Sequence, residues 1–475
     1  MPLRKSRKYP FPRNASYLGF INSEVGVIRD TLVHEVLSAM EYDVPMDWSR
    51  SEYRPEGLFD ALALYDNNLR LKDLPQAIQK RLRDSFQNVK SRYSALSGLE
   101  TISLEEVAES LKLSKSSGAP YFRKKGMVVE EAIDEAISIE RGDKKPEPCV
   151  AYYRTQNQID AEGTPNPKVR LVWGYPVAMT LLEGMVAAPA LNAVKTWKSQ
   201  PIFTGRRRTE VGAATNALGW YPVVVSFDWS RYDATLPAFL ISWCFDIMRS
   251  WFNDIPDSLW DVIVCYFITT PIVMPDGHVH VGKRNGVPSG SYFTSLVGSL
   301  ANQILIGACA SESGVTPSRM LVLGDDSIVA FSKDVDTNVF KAFAESLGMR
   351  LKVVSRNYYR ARGRTQAFHF LGHQWRRGRP TRPINETLQR IVFMERDNSR
   401  AIAEVGLQLY RFEKLLALYA DNVDAWPLIR TLIYVLGVGR LHNLELGKRV
   451  RHRGGFAEWE KTDISFHPVA TLSFH

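Results

Sequence analysis

The stretch LVLGDDSIVAF, residues 321–331, sets two apolar runs on either side of a Gly-Asp-Asp-Ser core. It reads as two strands joined by a tight turn, and a chain that carries it has to build a sheet around it. Solubility does not require two adjacent carboxylates at such a turn. A second acidic tip occurs about a hundred residues earlier, where YPVVVSFDWS (221–230) concentrates β-branched and aromatic residues into a buried strand that ends as Asp228 appears. If the two strands are neighbours, Asp228 and the pair Asp325 and Asp326 share one face of a sheet. Two divalent ions could then sit between them. Two-metal chemistry needs carboxylates that hold ions roughly 3.5–4 Å apart, one activating the attacking oxygen and one stabilising the leaving oxygens. Magnesium suits such a site because it takes oxygen ligands and keeps positions open for phosphate; manganese is the alternative.

The rest of the pattern supplies the layers around that sheet. Helical periodicity runs over 28–40, 74–93 and 104–111, the last opened by a capping box at Ser103 and Glu106. A helix is expected over 237–252. PIVMPDGHVHV (271–281) alternates around an Asp276-Gly277 turn, the signal of a β-hairpin. The helical stretch 337–348 and the short strand 349–354 follow the acidic hairpin. Three further helical stretches cover 386–395, 401–420 and 426–437, tailed by the basic KRVRHRGG (448–455). The order strand, helix, hairpin, helix, hairpin, helix, strand is that of an α+β fold, an antiparallel sheet backed by helices.

With 475 residues the chain exceeds what one core usually serves, so two or three packed subregions are expected. A net charge of +9 leans towards an anionic partner. The cysteines Cys149, Cys244, Cys265 and Cys309 lie far apart, without zinc or disulfide spacing, which fits a reducing compartment. Residues 1–16, MPLRKSRKYPFPRNAS, lack the apolar stretch of a signal peptide and read as a flexible basic arm. The uncharged segment 285–311 is long enough to span a bilayer, but its Ser, Asn, Gln and Gly content reads as a loop followed by a helix buried inside the protein. No Walker-type GxxxxGK[ST] occurs, so no built-in helicase ATPase is expected.

Three motifs in order, DWSRYD (228–233), PSGSYFT (288–294) and GDDS (324–327), resemble the palm motifs of viral RNA-dependent RNA polymerases. KVRLVWGYP (168–176) and FLGHQW (370–375) are similar to flanking elements of the partitivirus-like enzymes of double-stranded RNA viruses, and SSGAPYF (116–122) resembles the template-entrance loop of related enzymes. The resemblance covers residues 116–375. It implies a right-hand polymerase: fingers over 1–222, palm over 223–380 with an inserted fingers segment at about 253–287, and a helical thumb over 381–475.

The resemblance also implies roles. Asp228 and Asp325 would hold the metal ions, and Asp326 would be an auxiliary ligand or a positioning group. Asp233 would select ribonucleotides by engaging the ribose hydroxyl, helped by Ser289 and Thr294; a site built to bond a hydroxyl penalises the substrate that lacks it. Gly290 would permit the turn of the Ser289-Gly290 loop. Many picornavirus-like enzymes carry an asparagine four residues after the threonine, where this chain has Gly298; Asn302 lies too far along to be taken as its equivalent. Lys168 and Arg170 would meet the incoming triphosphate, with a weaker claim for residues 154–156. Ser116, Ser117, Gly118 and Pro120 would contact the template. Lys352 is the candidate general acid for the leaving group, with Arg356 close by. His369 and His373 are expected to be structural. The basic clusters at 4–8, 206–208, 360–364 and 376–382 would line channels for nucleic acid.

The expected function is therefore RNA-directed RNA synthesis that replicates and transcribes a viral double-stranded RNA genome. Its partners would be RNA template and product, ribonucleoside triphosphates and a capsid protein, with no membrane, in the virion interior and the host cytoplasm. A reverse transcriptase is disfavoured by Asp233. A non-catalytic RNA-binding or packaging protein would explain the charge but not the three ordered motifs.

Overall fold

The computed structural model describes residues 3–12, 28–46, 48–50, 55–153, 157–159, 170–358, 367–394 and 404–437. Its centre is a four-stranded antiparallel sheet in the order Pro317–Leu323, Asp326–Phe331, Val223–Ser230, Arg350–Tyr358. The two acidic strands are thus neighbours. Val223–Ser230 lies inside the sheet and is buried on both faces, which explains its nearly unbroken apolar run.

Alternate residues feed two different cores. Val223, Val225, Phe227 and Trp229 face the main core, where Phe227 stacks on Phe340 of the helix Thr337–Ser346 at 5.3 Å. Val224, Ile328 and Ala330 face the other way, onto the helix Arg208–Leu218 and the hairpin that contains Phe370 and Trp375. The expected strand 349–354 continues to Tyr358, with a register shift between Val353 and Ser355.

The uncharged segment folds as expected: a loop leads into the helix Thr294–Glu312, most of whose residues are buried. A second long apolar helix, Val177–Thr196, is also packed inside the protein. Sequence periodicity misses it because a helix buried nearly all round has no polar face to mark a period. The capping box at Ser103 and Glu106 forms both of its bonds.

The hairpin around Asp276-Gly277 forms, with Gly277 at φ 76°, and belongs to a five-stranded sheet in the order Arg4–Lys8, His278–Val281, Ile272–Val273, Cys149–Tyr153, Leu171–Gly174. This corrects the expectation of a flexible basic arm: residues 4–8 add as an edge strand to His278–Val281. A separate core unites the helices Ile384–Val392, Glu404–Asp421 and Trp426–Val435 with Thr31–Ala39. That first helix belongs to this core although it lies, in sequence, within the expected 1–222 unit. Arg411 closes the junction with a two-pronged ion pair to Asp30, both bonds 2.8 Å and both side chains buried.

Candidate active site

Leu323 pairs with Asp326, so only Gly324 and Asp325 span the turn of the acidic hairpin. The first of these two positions needs a residue without a Cβ: Gly324 takes φ 60°, as the first central position of a two-residue hairpin turn requires. Asp325 sits exposed at the tip. Ser327 faces Phe227 across the sheet, which brings Asp326 level with Asp228 on the neighbouring strand. On the other side Lys352 pairs directly with Asp228. Residues opposite one another on adjacent strands project to the same face, so Asp326, Asp228 and Lys352 form a row. Lys352 is exposed, whereas Arg356 is committed to Asp334 and to the Val335 carbonyl.

The carboxylates feel one another. Burial pushes Asp326 up to about 7; the negative charges of Asp325 and Asp228 add to the rise, while backbone N–H groups of Leu371 and Gly372 oppose it. Asp233, on the turn after the strand, is pushed up to about 6 by crowding protein and then by Asp325, against the pull of Arg170. Asp233 taken as a whole is nevertheless exposed. Asp228, Asp233, Asp326 and Arg170 are therefore linked electrostatically around Asp325. Among the described residues no three acidic, histidine or cysteine side chains form a ready-made metal cage. Mutually repelling oxygen donors that leave positions free nonetheless fit Mg²⁺, which is commonly bound by one or two carboxylates together with substrate phosphates and water.

The residues that hold this site in place were not legible as such in the sequence. From the helix Thr294–Glu312, the Ser299 hydroxyl accepts the Gly324 N–H at 2.9 Å and the Asn302 side-chain amide donates to the Gly324 carbonyl at 2.9 Å. The other end of Asn302 accepts the indole N–H of Trp229 at 2.9 Å. One buried amide thus ties the residue after Asp228 to the residue before Asp325. Gly298 lets the turn approach, since a Cβ there would lie 3.3 Å from the Gly324 Cα, and its carbonyl accepts the Tyr232 hydroxyl at 2.8 Å. Asn302 is accordingly engaged in positioning the site. The polar residues Ser299, Asn302 and Gln303 within a buried helix were the available signal.

The Ser289-Gly290 loop lies against the strand Leu171–Gly174. Ser289 accepts the Trp173 N–H at 3.1 Å, and a Cβ on Gly290 would meet the Trp173 carbonyl at 2.1 Å. Thr294 donates its hydroxyl to the carbonyls of Pro288 and Ser291. These bonds hold the loop together, and none of them goes to the Asp233 side chain; the backbone carbonyl of Asp233 instead accepts the Val287 N–H. Beneath the loop, buried Glu183 accepts bonds from Tyr175, Ser291 and the Tyr292 N–H, and burial pushes it up to about 7. Sequence reasoning missed it.

In the 116–122 loop Ser116 is exposed and Pro120 half-buried, while Ser117 and Gly118 are buried. Gly118 has φ 69°, and a Cβ there would lie 2.7 Å from the Tyr175 carbonyl oxygen, so these two buried residues build the loop. Lys168, residues 154–156, the cluster 360–364 and the basic stretch 448–455 lie outside the described residues. Two of the basic clusters expected to line channels are partly structural. The Arg206 side chain is buried and donates to the Trp197 carbonyl, Arg208 pairs with Asp421, and Arg382 pairs with Glu386 at 2.7 Å. His373 faces Asp421 at 3.2 Å, in keeping with a structural role.

Compared with solved structures, the chain shares its fold with the RNA-dependent RNA polymerase of a human picobirnavirus. The TM-score is 0.61 at 17% identity, over 90% of this chain and 87% of that one. The insertion-loop deletion mutant of that polymerase gives 0.58 at 17% identity, over 86% and 80%. The α+β architecture is therefore that of a right-hand polymerase. The family model described as viral RNA-dependent RNA polymerase matches residues 35–418, and the chain belongs to that family. Among curated relatives, the RNA-directed RNA polymerase of Cryptosporidium parvum virus 1 is 27% identical over 350 residues, 65% of this chain and 64% of the relative. A potential RNA-dependent RNA polymerase of human picobirnavirus is 22% identical over 64% of this chain and 63% of its own length. The chain thus matches a little under two thirds of the length of these relatives.

Proposed function

We propose that this protein extends an RNA 3′ end against an RNA template, joining the hydroxyl to the nucleotide α-phosphate with release of pyrophosphate. The observation that carries this reading is the grouping of Asp228, Asp325, Asp326 and Asp233 with Arg170 by strand register and mutual electrostatics. Asp228 and Asp325 would hold two Mg²⁺ or Mn²⁺ ions, which supply activation of the attacking oxygen and charge stabilisation on the leaving oxygens. Asp326, held by the N–H of Leu371, orients the pair and completes the negative surface. Arg170 meets the triphosphate, and Lys168 shares that role. Lys352, on the same face as Asp228, delivers the proton to the leaving pyrophosphate. Asp233 accepts the ribose hydroxyl and so favours ribonucleotides.

KVRLVWGYP and FLGHQW support the narrower affinity to partitivirus-like enzymes. On that reading the protein replicates and transcribes a double-stranded RNA genome inside the virion, in the host cytoplasm, beside a capsid protein. Primer extension on an RNA template, first with ribonucleotides and then with deoxyribonucleotides, tests the chemistry. Selective ribonucleotide incorporation is expected. Equal or better use of the deoxy substrates overturns the role of Asp233, and binding without any incorporation overturns the enzyme.

A further inference from the structure

The bonds of Ser289 and Thr294 go to Trp173 and to their own loop, so the position of Asp233 is set elsewhere. Asn285 is placed to set it. This buried side chain donates its amide to the Ala234 carbonyl at 2.6 Å and to the Leu64 carbonyl at 3.1 Å, and its oxygen accepts the Asn67 N–H at 2.9 Å. Two carbonyls at one end and an N–H at the other leave the amide one orientation. A single carboxamide thereby joins the turn of Asp233, the approach to the Ser289-Gly290 loop, and residues 64–67, which follow the helix Pro55–Ala63.

The surroundings leave the joint little play. Next to Asn285 the Gly286 N–H donates to the Leu236 carbonyl at 2.7 Å and the Val287 N–H to the Asp233 carbonyl at 2.6 Å. Gly286 has φ 76°, and a Cβ there would lie 2.5 Å from the Tyr65 ring and 2.6 Å from the Asp233 carbonyl oxygen. The buried Tyr65 ring meets Trp173 edge-on at 5.1 Å, so it packs against both the Gly286 backbone beside Asp233 and the residue that donates to Ser289. Burial, and then the charge of Asp233, push the Tyr65 hydroxyl up, which places it within reach of that carboxylate. We propose that Asn285 is a positioning residue for sugar selection: bonded to residues 64–67 and to the Ala234 carbonyl, it holds Asp233 where its carboxylate accepts the ribose 2′-hydroxyl of the bound nucleotide. This rests on the reading of Asp233 as the hydroxyl acceptor. Residues 64–67 then take part in substrate choice without touching substrate.

The test is single-nucleotide primer extension with the full chain, comparing kcat/KM for a ribonucleotide and for its 2′-deoxy counterpart on one RNA template. Taking the ratio within each protein cancels any unfolded fraction. A shift of about 1 Å in a positioned group can cost on the order of 100-fold, so Asn285→Ala should lower the ribose preference by roughly 10- to 100-fold. The loss should fall on the ribonucleotide, with the deoxynucleotide nearly unchanged. Equal losses for both sugars are what a merely structural residue gives, and they overturn the proposal. Asp233→Ala and the double variant should share one ratio, because Asn285 acts through Asp233; losses that add overturn that route. If Asn285→Ala does not fold, Asn285→Ser, which keeps a donor too short to reach all three partners, carries the same measurement and should shift the ratio in the same direction. A changed ratio in Asp233→Ala beside an unchanged one in the Asn285 variants removes the positioning role alone. An unchanged ratio in Asp233→Ala removes the reading of Asp233, and the role of Asn285 with it.

Discussion

Replacing Asn302 by alanine should disconnect the two halves of the acidic row without touching a carboxylate. The substitution leaves the buried indole N–H of Trp229 without its acceptor and the Gly324 carbonyl without its donor. A buried polar group stripped of its partner costs about 1–3 kcal/mol, so the two together should destabilise the fold by roughly 2–6 kcal/mol. The catalytic effect is separate. Gly324 precedes Asp325, and a shift of about 1 Å in a reacting group can cost on the order of 100-fold in rate. Extension kinetics at a temperature where the variant is folded should show kcat reduced by roughly 10- to 100-fold with KM for the nucleotide little changed. Denaturant unfolding of Asn302→Ala, Trp229→Phe and the double variant should give a coupling of about 0.5–3 kcal/mol, as expected for residues in contact. A folded Asn302→Ala protein with wild-type kcat, or a cycle with no coupling, would refute the assignment of this amide as the link between the strands.

Asp325→Asn should lower synthesis by about 10³-fold or more, since metal-held charge stabilisation is worth several kcal/mol, while melting and RNA binding stay close to wild type; retained activity sinks the metal assignment. Gly290→Ala should lower stability by about 1–3 kcal/mol, because the added methyl meets the Trp173 carbonyl, and an unchanged melting temperature would show that the loop has room. Glu183 gives a pH signature. Its proton is held to about 7 in the folded protein and released near the ordinary glutamate value when unfolded, so the folded state binds more protons in between. Stability should therefore fall by roughly 3 kcal/mol as pH rises from about 4.5 to 7, and Glu183→Gln should flatten that fall. Identical slopes in the two proteins would remove Glu183 as its source.

The acidic hairpin was legible because strand pairing forces its pattern: apolar residues flank a two-residue turn, and the carboxylates stand on that turn and on the strand position beside it. Asp228 was legible for the same reason, at the point where an apolar strand surfaces. The supports were not. Asn302 and Glu183 are buried polar residues in helices buried nearly all round, and their partners, Trp229 and Ser291, are set by tertiary packing with no fixed spacing in sequence. The basic clusters misled in another way. Charge alone does not separate Arg206, which is buried on a backbone carbonyl, from Arg7, which faces solvent.

The core shared by Thr31–Ala39 and the last helices imposes a timetable on synthesis. Asp30 and Arg411 are 381 positions apart, and at about 5–20 residues per second the first waits on the order of 20–75 s for the second to be made. The four-stranded central sheet needs nothing beyond Tyr358 for its strands, so it can form while the early helix still exposes Val33 and Leu37. Ribosomes that stall between those points would release a protein with a paired sheet, an uncovered apolar helix and a surface ready to aggregate.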